Sequence, residues 1–305
     1  MSLVNKIVSR LKVFNEIRII NKARTLNQFQ DLDASPFFIL SSGRSGSTLL
    51  RRILEAHSDI HIPPESDYFI PQTASEFVRN NIENWRSVVT MILETVDSSP
   101  CFQYWGIKIE DFRRHFLEMP FHELTYGKII SEVYTFHLKL FKPAATVWGD
   151  KTPCLASKLN WLPIIYPKAK FIFMVRDGRA VVNSMMKHFN YPLRKAAIRW
   201  KDSVIQMQKF GKTFNNPVHY IKYENLIENP NDSISSVCQF LEVNFDPEMI
   251  FRKVNNLGDD VLSHHGNIHK PITQGFNDAW KLEQEEYDIA ATNKIIKKEL
   301  RILGY

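Results

Sequence analysis

The stretch SSGRSGSTLLRRILEAH, residues 41–57, follows the apolar run PFFIL (36–40) and ends in an apolar pattern at helical spacing. A strand, a glycine loop and a helix in that order gather free backbone N–H groups and the positive end of a helix dipole around one point, which suits a phosphate-like anion. The commonest phosphate loop reads G-x-x-x-x-G-K-[ST], with a lysine for the outer phosphates and a hydroxyl for magnesium. Here Gly43 and Gly46 enclose a shorter turn, Ser47 stands where that lysine would, and Arg44 is the only cation inside. Taken alone, such a loop also reads as a plain turn with no ligand. A second stretch, KFIFMVRDGRAVVNSMMKH (170–188), runs from an apolar strand into Arg176 and Asp177 and then into a helix carrying Ser184 two turns in. An arginine at the carboxyl end of a strand faces the crevice where open α/β sheets bind ligands. Its competing reading is an ion pair with a neighbour such as Asp177. Two anion sites on neighbouring strand ends would suit a nucleotide phosphorylated at both ends of its ribose.

The elements that must position these residues follow from short apolar runs: PFFIL (36–40), DIHI (59–62), TVWG (146–149), KFIFMV (170–175) and VHYIKY (218–223). Helical patterns lie between most of them, at 46–57, 83–96, 122–141, 154–165, 178–188, 192–212, 232–242 and 285–302. Strands alternating with helices indicate α/β with a mainly parallel sheet. Near-continuous apolar character in FFIL and FIFMV predicts central strands covered on both faces. Region 63–145 reads as largely helical inserted material and 253–280 as loop, both placed to cover a site.

The 305 residues, 44% of them hydrophobic, are enough for one large core or two modest ones. A net charge of +6, from 39 basic and 33 acidic residues, favours anionic ligands without pointing to nucleic acid. The cluster KIIKKELR (294–301) reads as the solvated face of an amphipathic helix. Cys101, Cys154 and Cys238 are far apart and lack metal-ligand spacing, so reduced thiols and a cytoplasmic location are expected. The amino terminus, MSLVNKIVSRLKVFNEIRIINKAR, has no uninterrupted apolar run long enough for a bilayer or a signal segment. It is expected to form a helical arm over residues 1–35 that packs on the domain, with a membrane-resting helix as the alternative.

The blocks SSGRSGSTLLRRILEAH, GDKTP, YPKAKFIFMVRDGRAVVNS and YIKYENLIENPNDSISSVCQFLEV, in that order, resemble the sulfotransferase superfamily and are most similar to its tyrosylprotein sulfotransferase-like branch. The resemblance runs from about Phe37 to the terminal LGY, so the expected domain is 36–305. It implies a three-layer P-loop-like fold with a mainly parallel central sheet flanked by helices. It also implies 3′-phosphoadenosine-5′-phosphosulfate (PAPS) as sulfuryl donor and a hydroxyl-bearing acceptor. The backbone amides of Gly43, Arg44, Ser45, Gly46, Ser47 and Thr48, with the Ser47 and Thr48 hydroxyls, would wrap the 5′-phosphate. Arg176 with Ser184 would hold the 3′-phosphate, and Tyr223 and Lys270 match positions that contact the nucleotide. Arg44 is assigned charge stabilisation at the transferring group. Glu65 lies 21 residues past Arg44, the offset of that branch's catalytic carboxylate, and is the expected general base, with Asp67 as fallback. Lys151 would approach the bridging oxygen of the leaving phosphate, although that branch reads its lysine one residue closer to the later arginine.

A sulfuryl group carries less charge than a terminal phosphoryl group, so no metal is expected. His264, His265 and His269 lack a carboxylate or cysteine partner at ligand spacing and read as loop residues. Two rivals stay open: a P-loop small-molecule kinase using ATP and magnesium with Asp150 as the metal acid, and a non-catalytic nucleotide-binding protein. The acceptor class and the oligomeric state, a homodimer included, are left open.

Overall fold

The structure, a computed structural model, describes residues 14–120, 124–252, 254, 272, 280–281 and 286–305. A helix over 14–23 (α1) precedes strand β1 (Phe37–Leu40), helix α2 (Ser47–Glu55) and the two-residue strand β2 (Ile60–His61). Four helices follow: α3 (Phe69–Asn80), α4 (Trp85–Asp97), α5 (Ile109–Leu117) and α6 (Tyr126–Phe141). Strand β3 (Val147–Lys151) leads through a 3₁₀ segment, Pro153–Trp161, into the short α7 (Leu162–Ile165). Then come β4 (Lys170–Val175), α8 (Gly178–Phe189), α9 (Leu193–Thr213), β5 (Val218–Lys222), α10 (Tyr223–Glu228), α11 (Pro230–Leu241) and α12 (Glu286–Leu303).

The five strands form one parallel sheet in the order β2-β3-β1-β4-β5. Successive side chains of a strand point to opposite faces, which explains the unbroken apolar runs of β1 and β4. Phe38, Leu40, Phe171, Phe173 and Val175 enter one core with α3 to α7, whereas Phe37, Ile39, Ile172 and Met174 enter another with α2 and α11. A third cluster joins α8, α9 and α12 through Val181, Trp200 and Ile296. Ile20 and Ala23 of α1, together with Phe29, belong to the first core, so this part of the amino-terminal segment packs on the sheet domain. Among the described residues no helix is long and apolar enough to cross a membrane.

Two details differ from the sequence reading. Lys151 does not follow β3 but lies in it, because pairing with β1 continues to Ile39 opposite Lys151. The segment expected as one helix over 154–165 is 3₁₀ with a kink at Lys158 (φ −126°) before α7. Pro163 is not the cause, because Leu162 before it is helical (φ −60°, ψ −48°) and the proline lies in the first turn of α7, where its missing N–H has no helical partner to lose.

Candidate functional site

β1 delivers the chain into a loop that only a glycine-rich sequence follows cheaply. Gly43, Arg44 and Gly46 all have positive φ (77°, 55° and 88°), and such successive left-handed turns make a concave nest of N–H groups. The serines hold it: Ser41 Oγ accepts from Gly43 N at 3.2 Å and donates to Ser47 Oγ at 3.3 Å, and the Ser42 and Ser45 hydroxyls lie 2.9 Å apart. Gly46 caps α2 with no side-chain hydrogen bond, and the helix has no acidic residue in its first turn, so its amino end is available to an anion. A Cβ on Gly46 would run into the Tyr223 ring.

Two groups of side chains flank this loop. In the first, Arg176 at the end of β4 sits 4.2 Å over the Tyr223 ring and donates through Nη1 to Arg44 O at 3.3 Å. Arg44 Nε donates to Ser184 Oγ at 3.0 Å, and its guanidinium lies 5.7 Å over Phe189. Burial, and then the charge of Arg176, hold the Arg44 guanidinium below its ordinary pKa. An anion bound between them would relieve both costs. The competing ion pair between Arg176 and Asp177 is not formed; Arg179 engages that carboxylate, with Nη2 at 2.6 Å from Oδ2. Arg44, expected at the transferring group, here turns toward Ser184 and Arg176, because α8 offers both a hydroxyl and an aromatic face.

In the second group, the fully buried Lys151 pairs with the Glu65 carboxylate and donates to Thr48 Oγ1 at 3.4 Å. The Glu65 side chain keeps 28% of its surface exposed while Lys151 is fully buried, so the pair sits at the boundary between core and solvent. Glu65 is held by its neighbours: Ser66 N donates to Thr152 Oγ1 at 2.8 Å, and Trp105 Nε1 donates to Glu65 O at 3.2 Å. Asp67 has φ 54°, in the turn that follows. Asp150 lies on the opposite face of β3, buried, with Tyr134 OH donating to Oδ2 at 2.7 Å. Burial raises its pKa, whereas a magnesium ligand must ionise.

Beside the loop lies a cavity of about 920 Å³, bordered by Ser42, Tyr68 and Ser157 and by Arg194, Lys195 and Arg199 of α9. Thr152, Trp105 and these α9 cations were not singled out from the sequence. Thr152 had a signal in its adjacency to Lys151, while Trp105 had none, because its contact with Glu65 spans 40 residues. Lys270, and with it the three loop histidines, lies outside the described residues. Among the described residues no cluster of three or more His, Cys, Asp or Glu is arranged to hold a metal.

The Sulfotransferase family model matches residues 36–247. The protein-tyrosine sulfotransferase of Drosophila melanogaster is 25% identical over 244 residues, covering 77% of this chain and 41% of its own length. Protein-tyrosine sulfotransferase 1 of Danio rerio is 24% identical over 289 residues, with 90% of this chain and 73% of that protein covered. The chain thus spans less than half of the first of these relatives. Among solved structures, a sulfotransferase domain from the curacin biosynthetic pathway superposes with a TM-score of 0.60 at 23% identity, over 88% of this chain and 98% of its own.

Proposed function

From its membership of the sulfotransferase family, to which this chain belongs over residues 36–247, we propose that it transfers a sulfuryl group from PAPS to an acceptor hydroxyl, with peptide tyrosine placed first among acceptors. The observation that carries the reading is the contact of Glu65, Lys151 and Thr48 at the mouth of the glycine loop, beside the separate Arg44, Ser184 and Arg176 group. The loop amides and the hydroxyls of Ser47 and Thr48 would hold the 5′-phosphosulfate at the amino end of α2. Arg176, Ser184 and Arg44 would hold the 3′-phosphate, with Tyr223 supporting the arginine and bordering the nucleotide.

In this mechanism Glu65 takes the acceptor's proton as its oxygen attacks sulfur from the side of the α9 cavity. Lys151 neutralises the charge that grows on the leaving phosphate oxygen. Its pairing with Glu65 keeps a buried cation compensated until a donor anion is present. The exposed cations Arg194, Lys195 and Arg199 suit an acceptor with negative charges near its hydroxyl, as in an acidic peptide. Protein-tyrosine sulfotransferases among the relatives support tyrosine as the first acceptor to test.

The kinase reading is the weaker, since Asp150 is directed into the core and hydrogen-bonded by Tyr134. One experiment separates the readings: labelled PAPS, or ATP, incubated with an acidic tyrosine peptide, an oligosaccharide and a simple phenol, with and without EDTA. Sulfuryl transfer that persists in EDTA is expected. Phosphoryl transfer from ATP that is lost in EDTA and restored by magnesium would overturn the proposal.

A further inference from the structure

Arg176 leaves the backbone from a peptide unit that is held at both ends. The carbonyl of that unit, Arg176 O, accepts from the Trp200 indole N–H at 3.2 Å, and its N–H, on Asp177, donates to Glu224 Oε1 at 3.0 Å. Fixing both ends of one planar amide fixes the direction in which the arginine side chain departs. Glu224 is held in its turn, because its second oxygen, Oε2, accepts from the Tyr305 hydroxyl at 2.6 Å. Tyr305 N donates to Leu300 O at 3.0 Å, and the Lys222 ammonium lies 4.7 Å over its ring. Lys222 and Glu224 flank Tyr223, the ring on which the Arg176 guanidinium rests. The ends of β4, β5 and α12 are thus tied together around one carboxylate.

We propose that Tyr305 is a positioning residue for donor selectivity, acting through Glu224 to aim Arg176 at the 3′-phosphate of the nucleotide. The proposal rests on the reading of Arg176 as the 3′-phosphate ligand. Without the phenol, Glu224 loses a short hydrogen bond to a charged group and gains rotamer freedom, and the Arg176–Asp177 amide loses its fixed acceptor. Tyr305 makes no hydrogen bond to the glycine loop; the relay meets that loop at the Arg176 Nη1 bond to Arg44 O (3.3 Å), a carbonyl rather than one of the amides that would hold the 5′-phosphate. Burial and the neighbouring Glu224 charge push the phenol pKa far above its ordinary 10, so the hydroxyl donates throughout the working pH range. A tyrosine that served only to pack α12 would affect all nucleotides alike.

The test measures calorimetric affinities of adenosine 3′,5′-bisphosphate and AMP for the wild type, Tyr305→Phe, Glu224→Gln and Arg176→Ala, with a thermal midpoint for each. Tyr305→Phe keeps the ring against Lys222 and removes only the hydroxyl. Loss of a hydrogen bond to a charged group, relayed through one residue, should cut the preference for the bisphosphate by about three- to tenfold. AMP affinity should stay within about twofold, and Glu224→Gln should move the preference in the same direction. A Tyr305→Phe protein with the wild-type preference, or with equal losses for both nucleotides, overturns the proposal while Arg176→Ala still abolishes the preference. If the wild type shows no preference, or Arg176→Ala retains it, the Arg176 reading falls and the Tyr305 proposal falls with it.

Discussion

Replacing Glu65 with glutamine separates catalysis from stability, because the two effects are read by different measurements. In its proposed role as proton acceptor in the transition state, Glu65 would be worth about 10² to 10⁴ in turnover, or about 3 to 5 kcal/mol of activation free energy. As a partner of Lys151 it acts on stability instead. Glutamine still offers an oxygen to the Lys151 ammonium, which also keeps its hydrogen bond to Thr48 Oγ1 at 3.4 Å. The loss is the difference between a charge-assisted hydrogen bond of about 1.5 to 3 kcal/mol and a neutral one of about 1. The fully buried Lys151 also loses its counter-charge, which raises the cost to about 1 to 3 kcal/mol. A stability loss of about 1 kcal/mol corresponds to a fall of about 2 to 4 °C in the thermal midpoint of a chain this size. Single-turnover transfer of labelled sulfuryl at saturating donor and acceptor reads the chemical step, and calorimetry with adenosine 3′,5′-bisphosphate reads the donor site. Turnover should drop by at least a hundredfold while nucleotide affinity changes by less than about threefold. Retention of more than about a tenth of wild-type turnover would refute the assignment and leave Glu65 as the counter-ion of Lys151. Asp67→Asn, on the neighbouring turn, serves as the control and should change turnover by less than about fivefold.

Three further outcomes follow from the geometry. Gly46→Ala places a Cβ against the Tyr223 ring at φ +88°, so it should cost about 1 kcal/mol or more in backbone strain alone and weaken adenosine 3′,5′-bisphosphate binding at least tenfold by calorimetry. The double change Arg194→Ala with Lys195→Ala should raise KM for an acidic tyrosine peptide about tenfold, less so at high salt, and leave KM for a neutral phenol unchanged in steady-state assays. His137, desolvated by burial and repelled by His61, has its pKa lowered from 6.5 to about 3. Because the unfolded chain then binds a proton that the folded one refuses, stability present above pH 6.5 should decline as pH falls toward 3, by about 1.4 kcal/mol per pH unit from this group. Denaturant titrations of His137→Gln should show a correspondingly flatter slope over that window, and an unchanged slope would contradict the assignment.

The parts of the fold legible in the sequence were those whose signals are local. Phe37 to Leu40 and Phe171 to Val175 are apolar without interruption because alternate residues feed two different cores, and that pattern needs no tertiary knowledge to read. Gly43 and Gly46 likewise marked the positive-φ turn. Helix α3 escaped individual recognition because FIPQTASEFVRN carries Pro71 as its third residue, which reads as a breaker. In the first turn, however, proline forfeits only an N–H that would have lacked a helical partner. The extension of β3 through Asp150 and Lys151 was hidden for another reason: a charged pair at a strand end looks like the start of a loop. What makes it strand is the pairing to β1 and the burial of Lys151 against Glu65 and of Asp150 against Tyr134. Long-range holders such as Trp105 and Tyr305 leave no local pattern, since their partners lie 40 and 81 residues away.

The strand order explains why groups so distant in sequence converge. β1 lies between β3 and β4, so the glycine loop leaves the sheet flanked by Lys151 on one side and Arg176 on the other, with Tyr223 one strand further out. All strands are parallel, hence all four of these residues or loops emerge at the same carboxyl edge. The two side-chain groups proposed to hold anions therefore fall on opposite flanks of one loop rather than in one cluster. On the proposed function, a ligand with negative charge at a single point would meet one flank only: either the buried Lys151, which Glu65 already faces, or Arg44 beside the like charge of Arg176. A nucleotide charged at both ends of its ribose meets both requirements at once. On the proposed function, the preference for such a donor would follow from the order of the strands, and the acceptor would be chosen by the cavity that α9 adds beside them.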